Sequence, residues 1–262
     1  MNNKLLKYFV LVAVSALLTI SCDSKKETVE IVSPSENLKV QVDTDEEGKA
    51  FYKVVQSSGE GETVIIGESP LGLVRSDADF TRNLKLTDVT DPEQVSENYT
   101  MVSGKERDLS YTANETTLTF SNESGKALQV VFRVFDEGVA FRYVFPGNSN
   151  EKFTVETETT GFNVPATATG WMSPYQAATP WGNPGYEADY LEVEPGTPAT
   201  EEVGWAFPLL FKAEDNWIFI SEAGLDATYC GTHAEANNSE GLYTIAFPEA
   251  NERLGDGEVS PS

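Results

Sequence analysis

The chain has 262 residues, of which 40% are hydrophobic and 11% aromatic, and its formal net charge is −24. This composition is typical of a folded globular protein with a sizeable core. The charge argues against nucleic acid and against an anionic membrane surface as partners, because both require a basic footprint. Carboxylates in this number fit a solvated surface, and they also supply the oxygen ligands that a hard cation such as calcium prefers.

Residues 1–21 have the pattern of a secretory leader. Lys4 and Lys7 precede the apolar run Tyr8–Ile20. That run is too short to span a bilayer, and it has the length of the apolar core of a signal peptide. We therefore predict a signal peptide over residues 1–21 and an extracytoplasmic protein.

The leader ends at a cysteine, Cys22, preceded by the small residue Ser21. This junction resembles the lipobox of bacterial lipoproteins, so we expect a lipid on Cys22, a short tether over residues 22–27 and anchoring at a membrane surface through the lipid alone. Thr19 stands where a lipobox usually has Leu, which leaves a plain secretory signal as the alternative. Lipidation of Cys22 would leave Cys230, the second of two cysteines, without a disulfide partner, and we expect it to be a buried, inert thiol.

From Thr28 onward the sequence predicts strands almost throughout. Segments rich in β-branched and aromatic residues are separated by Gly-, Asn- and Pro-containing turns, with no stretch of helical periodicity. The candidate strands are Glu30–Val32, Leu38–Val42, Phe51–Gln56, Thr63–Ile66, Leu84–Val89, Tyr99–Val102, Thr116–Phe120, Leu128–Phe135, Val139–Phe145, Phe153–Phe162, Ala206–Phe211, Trp217–Ser221 and Tyr243–Phe247. This pattern predicts an all-β fold, specifically a large two-sheet antiparallel sandwich over residues 28–262.

The segment Phe132–Pro146 is the clearest hairpin. Two runs of β-formers flank the turn Asp136-Glu137-Gly138, in which Gly138 could supply the positive φ of a tight connection. We expect Arg133 and Arg142, which alternate with aromatic residues, to pair with carboxylates in a structural role. The hairpin itself carries no predicted chemistry.

The segment from Gly161 to Gly204 interrupts the strand rhythm, and we interpret it as a long loop rich in proline and aromatic residues. Long loops without regular structure are usually functional or disordered, and the aromatic content argues against disorder. Four aromatic residues are candidate contacts to sugar rings: Trp171, Tyr175, Trp181 and Tyr186. Alternatively, these side chains pack the loop onto the sandwich.

The same segment contains four acidic residues, Glu187, Asp189, Glu192 and Glu194. Either they form a solvated acidic stretch, or one of them supplies an oxygen ligand to calcium. The only histidine, His233, excludes a multi-histidine metal site, and we expect it to be a surface or packing residue. The sequence has no nucleophile elbow, dinucleotide or phosphate loop, and a glycosidic pair of carboxylates cannot be located among 42 acids.

Four stretches together are similar to the N-terminal domain of glycoside hydrolase family 97. These stretches are Ser33-Pro34 with Leu38–Val42, Ser69-Pro70-Leu71-Gly72-Leu73, Phe132–Pro146 and Ile218–Tyr229. The resemblance covers Thr28 to Ser262 and implies a galactose mutarotase-like β-supersandwich. Family members are α-glucosidases and α-galactosidases in which a (β/α)8 barrel carries the catalytic acid and the base or nucleophile.

The resemblance implies no catalytic residue in this chain, because the alternating strands and helices of a barrel are absent and the sequence ends about where the linker to the barrel would begin. It also implies that the sandwich lends one glutamate to an active-site calcium. Glu187 aligns with that position, and Glu192 is the alternative.

Three hypotheses follow. The first is the sandwich domain of a calcium-dependent α-glycosidase, inactive alone, that faces an α-glucoside or α-galactoside. The second is a free-standing carbohydrate-binding surface lipoprotein without enzymatic activity. The third is a purely structural surface protein.

Overall fold

The computed structural model describes residues 28–59, 61–147, 151–176, 189–200, 203–225, 229–236 and 240–248. Within these ranges the chain forms nineteen strands and no helix, and every strand pairing is antiparallel. No helix in this part of the chain is therefore long and apolar enough to cross a membrane. The predicted all-β sandwich is confirmed.

The strands are numbered in chain order. They are β1 (Val29–Val32), β2 (Leu38–Thr44), β3 (Ala50–Ser58), β4 (Gly61–Pro70), β5 (Leu73–Arg75), β6 (Ala78–Asp79), β7 (Lys85–Val89), β8 (Glu93–Thr100), β9 (Asp108–Ser121), β10 (Ala127–Phe135), β11 (Val139–Val144), β12 (Val155–Glu158), β13 (Gly161–Asn163), β14 (Thr169–Pro174), β15 (Leu191–Val193), β16 (Trp205–Ala213), β17 (Asn216–Ile220), β18 (His233–Ala234) and β19 (Leu242–Ala246).

Hydrogen bonding divides these strands into four sheets. The first has the order β1-β2-β3-β4, and the second has the order β11-β10-β9-β7 with β8 paired to β9. The third is small, with the order β12-β5-β6, and the fourth has the order β13-β19-β18-β16-β14-β15 with β17 paired to β16. The sandwich is therefore built from more sheets than the two that strand content alone predicts.

One hydrophobic core joins the sheets. Tyr52 of the first sheet packs against Phe132 and Phe141 of the second, with ring centroids 6.1 and 5.3 Å apart. Its hydroxyl donates a hydrogen bond of 3.0 Å to the carbonyl of Gly161 at the start of the fourth sheet. Phe132 is fully buried, so the predicted hairpin supplies the centre of the packing.

The predicted hairpin is β10 and β11, paired from Gln129↔Val144 to Val134↔Val139. The turn is closed by a hydrogen bond of 2.8 Å from the amide of Phe135 to the carbonyl of Gly138. Gly138 does not adopt the positive φ that we expected. Because the connection closes without a left-handed residue, the conformational freedom of glycine is not required there.

The two arginines of the hairpin differ. Arg133 lies between two carboxylates, with N–O distances of 2.5 Å to Glu115 and 3.2 Å to Glu97, as its predicted structural role requires. Arg142 is exposed and makes no ion pair within the described ranges, so its predicted pairing is wrong. The strand register explains the difference, since Arg133 lies on the central strand β10 beside Glu115 of β9, whereas Arg142 is on the edge strand β11.

Cation–π contacts and ion pairs connect the third sheet to other parts of the chain. The guanidinium of Arg75 lies over the rings of Phe145 and Phe153, at 4.3 and 4.6 Å from their centroids. The carboxylate of Asp77 contacts Arg75 at 2.5 Å and the ammonium of Lys126 at 2.6 Å. Hydrogen bonds from Arg75 and then Lys126 lower the pKa of Asp77 to about 2, although burial opposes them.

The segment from Gly161 to Gly204 contains regular structure that we did not predict. Strands β14 and β15 form within it and pair with each other, and β14 also pairs with β16. The interpretation of the whole segment as an irregular loop is therefore wrong. Both strands are short, and β14 has a register irregularity between Trp171 and Ser173, which weakens any periodic signal in the sequence.

Candidate functional site

Strand β14 positions the first predicted site residue, Trp171, on the outer surface of the fourth sheet. Its neighbours Gly170 and Met172 are buried, whereas Trp171 is partly exposed. Trp171 lies opposite Glu192 of β15 on one side and opposite Leu210 of β16 on the other. The alternation of the pleat thus directs the indole away from the core.

The outer surface beside Trp171 carries two further aromatic side chains from β17. Trp217 is 58% exposed and Phe219 is 65% exposed, while Ile218 and Ile220 between and after them are buried. The indoles of Trp171 and Trp217 lie 5.4 Å apart at 36°, and the ammonium of Lys212 lies 5.5 Å from the ring of Trp217. Trp171, Leu210, Lys212, Trp217 and Phe219 together form what we call the aromatic face.

The sequence analysis did not select Trp217 and Phe219 as site residues. Their strand was predicted, but Trp217–Ile220 is a continuous apolar run. Such a run indicates a strand without showing which of its two faces is turned to the core. The side of the sheet on which these rings lie depends on pairing with β16, which is known only from the structure.

The second predicted residue, Tyr175, follows β14 and is buried at 7% exposure. Its ring stacks on that of His233, with centroids 4.0 Å apart and planes at 17°. The amide of Tyr175 donates a hydrogen bond of 2.7 Å to the carbonyl of Gly204. Tyr175 thus fixes the point at which the chain leaves the sheet. His233 is buried, so of the two positions that the sequence left open, surface or packing, it has the packing one.

Gly204 is required at this anchor for a steric reason. Its φ is +125°, and a Cβ placed there would lie 2.1 Å from the carbonyl oxygen of Ala234 and 3.0 Å from the His233 ring. No other residue fits so close to a neighbouring backbone. We call Tyr175, Gly204 and His233 the loop anchor, because residues 177–188 begin directly after it.

The remaining predicted site residues lie outside the described residues. These residues are Trp181, Tyr186, Glu187 and Cys22. The alternative ligand Glu192 is described, and it is exposed on β15 opposite Trp171. Within the described ranges no group of three or more His, Cys, Asp or Glu side chains is arranged to hold a metal ion.

A pair of glutamates occupies a separate position near the end of β12. Burial raises the pKa of Glu158, a hydrogen bond from Thr160 opposes this, and the nearby charge of Glu222 raises it further. Glu222 accepts hydrogen bonds of 3.0 and 2.7 Å from the amide and hydroxyl of Thr232. Burial likewise raises the pKa of the half-buried Cys230 thiol, which favours the unreactive protonated form.

Comparison with known proteins identifies the family. The family model described as "Glycosyl-hydrolase 97 N-terminal" matches residues 31–261. The chain belongs to this family. Two of the four stretches that carried the resemblance contain buried serines that accept backbone hydrogen bonds. Ser33 accepts one of 3.2 Å from the amide of Leu38 in the connection between β1 and β2, and Ser69 of β4 accepts one of 2.9 Å from the amide of Asn163 of β13.

Relatives of the family 97 domain are longer proteins. A "Probable retaining alpha-galactosidase" of Streptomyces bingchenggensis (strain BCW-1) is 28% identical over 249 residues, which are 95% of this chain and 37% of the relative. A crystal structure of a beta-arabinopyranosidase is 36% identical with a TM-score of 0.80, covering 89% of this chain and 37% of that one.

A family 97 enzyme of Pseudoalteromonas sp. strain K8 was solved in complex with acarbose. It is 26% identical with a TM-score of 0.69, covering 84% of this chain and 32% of that one. The chain therefore spans about a third of the length of these relatives.

Proposed function

We propose that this chain is the sugar-facing sandwich of a calcium-dependent α-glycoside hydrolase and has no hydrolytic activity alone. The observation that carries the proposal is the family match over residues 31–261, combined with a chain that spans 37% of the galactosidase relative. A glycosidase needs two positioned carboxyl groups at the scissile bond. The family resemblance assigns both to a barrel, and the described residues contain no helix from which a barrel could be built.

Glu187 is the proposed calcium ligand of this sandwich. The support is the alignment of Glu187 with the glutamate that the family's sandwich domain lends to the active-site calcium, together with the family match over residues 31–261. Calcium takes six to eight oxygen ligands, and one glutamate supplies at most two. The described residues do not complete such a site, so we expect this chain to bind calcium more weakly than millimolar.

The calcium proposal is tested by calorimetry on the purified chain and on Glu187→Gln, with Glu192→Gln as the matched control. We expect no heat that saturates below millimolar calcium for any of the three. Tight binding by the native chain that Glu187→Gln removes would overturn the expected weakness, and loss in Glu192→Gln alone would reassign the ligand.

The absence of activity is tested with chromogenic glycosides. The purified chain should not release p-nitrophenol from α-glucoside, α-galactoside or β-arabinopyranoside substrates, the last chosen because a relative of 36% identity bears that activity in its name. Turnover that survives repurification and responds to Glu158→Gln or Glu222→Gln would contradict the proposal.

Export and lipidation of Cys22 complete the proposal. The leader pattern of residues 1–21 supports it, and the strongly acidic chain would then be held at the membrane by lipid rather than by charge. Metabolic labelling with an alkyne fatty acid should mark the native chain and not Cys22→Ala. Label retained by Cys22→Ala, or a soluble native chain without label, would refute lipid anchoring.

A second candidate function is a free-standing carbohydrate-binding lipoprotein. The exposure of aromatic rings beside Trp171 favours it, because flat apolar rings suit the faces of pyranose sugars. Glycan-array binding that Trp181→Ala abolishes would support this function. No binding to starch oligosaccharides or galactosides would count against it.

A further inference from the structure

We propose that the aromatic face is a binding surface for a neutral oligosaccharide. The rings that form it are exposed on the outside of the fourth sheet, on strands β14 and β17. The loop anchor lies instead among the buried residues after β14 and at β18. The inference rests on the second candidate function and deepens it by naming the residues that would contact the sugar, and it does not depend on calcium binding or on an attached barrel.

The strand register gives the aromatic face an extended shape. Glu192, Trp171, Leu210 and Phe219 lie opposite one another on four neighbouring strands. Neighbouring strands are about 4.8 Å apart, so this row spans about 14 Å. A row of that length accommodates several linked pyranose rings rather than one, with the aromatic rings beneath and the Glu192 carboxylate at one end as a hydrogen-bond acceptor.

Charge favours a neutral ligand. The whole chain carries −24, yet the aromatic face contains the cation Lys212 and has one carboxylate, Glu192, at its edge. An anionic polymer would be repelled by the protein as a whole, and a cationic partner would find only one carboxylate and one cation at this surface. A polyhydroxylated neutral chain needs neither, because its hydroxyls bond to Lys212 and Glu192 at the rim and its C–H faces contact the rings.

Area argues against a protein partner held by this face alone. Trp217 and Phe219 are 58% and 65% exposed, and aromatic side chains of this kind offer roughly 150–250 Å² each, so together they present on the order of 200–300 Å². A stable interface needs about 800 Å² from each partner. These two most exposed rings of the face are therefore too small by themselves for a stable protein interface, and they suit a small ligand.

The rings are also held in place before any ligand binds. The indole of Trp217 contacts the indole of Trp171 on β14 and the ammonium of Lys212 on β16, so its rotamer is restricted in the free protein. A ligand that stacks on it therefore orders little side-chain freedom, which lowers the entropic cost of binding.

The test is binding of maltohexaose, cellohexaose and a linear β-galactohexaose by calorimetry, with hexagalacturonate as the charged comparator. At least one neutral hexasaccharide should bind, and hexagalacturonate should not. Trp217→Ala and Phe219→Ala should each weaken that binding about tenfold or more, because each removes a stacking ring. The control Tyr99→Ala removes an aromatic residue that is 46% exposed on another sheet, and it should leave binding unchanged.

A spectroscopic readout locates the contact. The neutral hexasaccharide should change the tryptophan fluorescence of the native chain, and Trp217→Phe should reduce that change. Failure of all neutral hexasaccharides to bind would overturn the inference. So would tighter binding of hexagalacturonate, or a native chain that dimerises in gel filtration and becomes monomeric on Trp217→Ala.

The inference and the proposed function fail separately. Glu187→Gln should leave hexasaccharide binding unchanged if the aromatic face acts alone, and loss of binding in Glu187→Gln but not in Trp217→Ala would move the site to residues 177–188. Calcium titrations of Trp217→Ala should match those of the native chain whether or not sugar binds.

Discussion

The β10–β11 hairpin and strand β17 use aromatic residues in opposite ways. In the β10–β11 hairpin, Phe132 and Phe141 turn inward and pack on Tyr52, so the rings hold sheets together. In the fourth sheet, Trp217 and Phe219 turn outward while Ile218 and Ile220 fill the core. Aliphatic residues thus provide the inner packing of β17, and its aromatic residues are available for contact with something else.

The comparison shows that aromatic content alone does not distinguish core from site. The hairpin carries part of the family resemblance and contributes Phe132 to the core, whereas β17 exposes two rings on the outside of the fourth sheet. Substitution of aromatic residues on these two elements should therefore have different effects, with large losses of stability in the hairpin and small ones in β17.

The largest effect is expected at Phe132. Phe132→Ala should lower the free energy of unfolding by about 3–5 kcal/mol, because it opens a cavity between Tyr52 and Phe141 where the ring is fully buried. Guanidinium unfolding followed by tryptophan fluorescence measures the loss. A loss below about 1 kcal/mol would mean that the hairpin is not the centre of the core.

The next effect is expected at the loop anchor. Gly204→Ala should lower the free energy of unfolding by about 1–3 kcal/mol, because the φ of +125° and the carbonyl of Ala234 leave no room for a methyl group. Gly138→Ala is the matched control, because a Cβ placed there would meet no atom of another part of the chain within 4 Å and the φ of Gly138 is not positive. Thermal melting of both variants gives the comparison, and equal melting temperatures would contradict the steric argument.

The sequence predicted the β10–β11 hairpin far better than strands β14 and β15 of the fourth sheet. The hairpin strands are long, each is rich in β-formers, and one turn joins them, so their pairing is local. In the fourth sheet β14 pairs with β16, and the paired residues are more than thirty positions apart in the sequence. No local sequence pattern specifies such a contact. The same limitation hid Trp217 and Phe219, because the outward side of an apolar strand depends on distant pairing.

For the candidate site, the sequence selected residues but did not predict their arrangement. It selected Trp171 and Tyr175, which the structure places differently: Trp171 belongs to the exposed aromatic face and Tyr175 to the buried loop anchor. A tyrosine and a tryptophan four residues apart give no indication of burial by themselves, since the irregular register of β14 decides it.

A pH-dependent effect is expected at Asp77, which fastens the small third sheet. Its pKa is lowered from 3.8 to about 2 when folded, so its stabilising contribution is present above pH 3.8 and is lost as the pH falls towards 2. Asp77→Asn should melt at a lower temperature than the native chain at pH 7, and the difference should narrow between pH 4 and 2. The exposed Asp91→Asn is the control, and a difference that stays constant with pH would contradict the ion-pair explanation.

The smallest effect on stability is expected at Phe219 of β17, which is compared directly with Phe132 of β10. Phe219→Ala removes the same ring as Phe132→Ala, but the side chain is 65% exposed, so the free energy of unfolding should change by no more than about 0.5 kcal/mol. Guanidinium unfolding under the same conditions measures both. A loss above about 1 kcal/mol would show that the ring packs against part of this chain, and it would remove the reason to regard the aromatic face as a binding surface. A change of no more than about 0.5 kcal/mol would mean that folding stability does not explain the large apolar side chain at this position. An exposed ring of that kind indicates contact with another molecule.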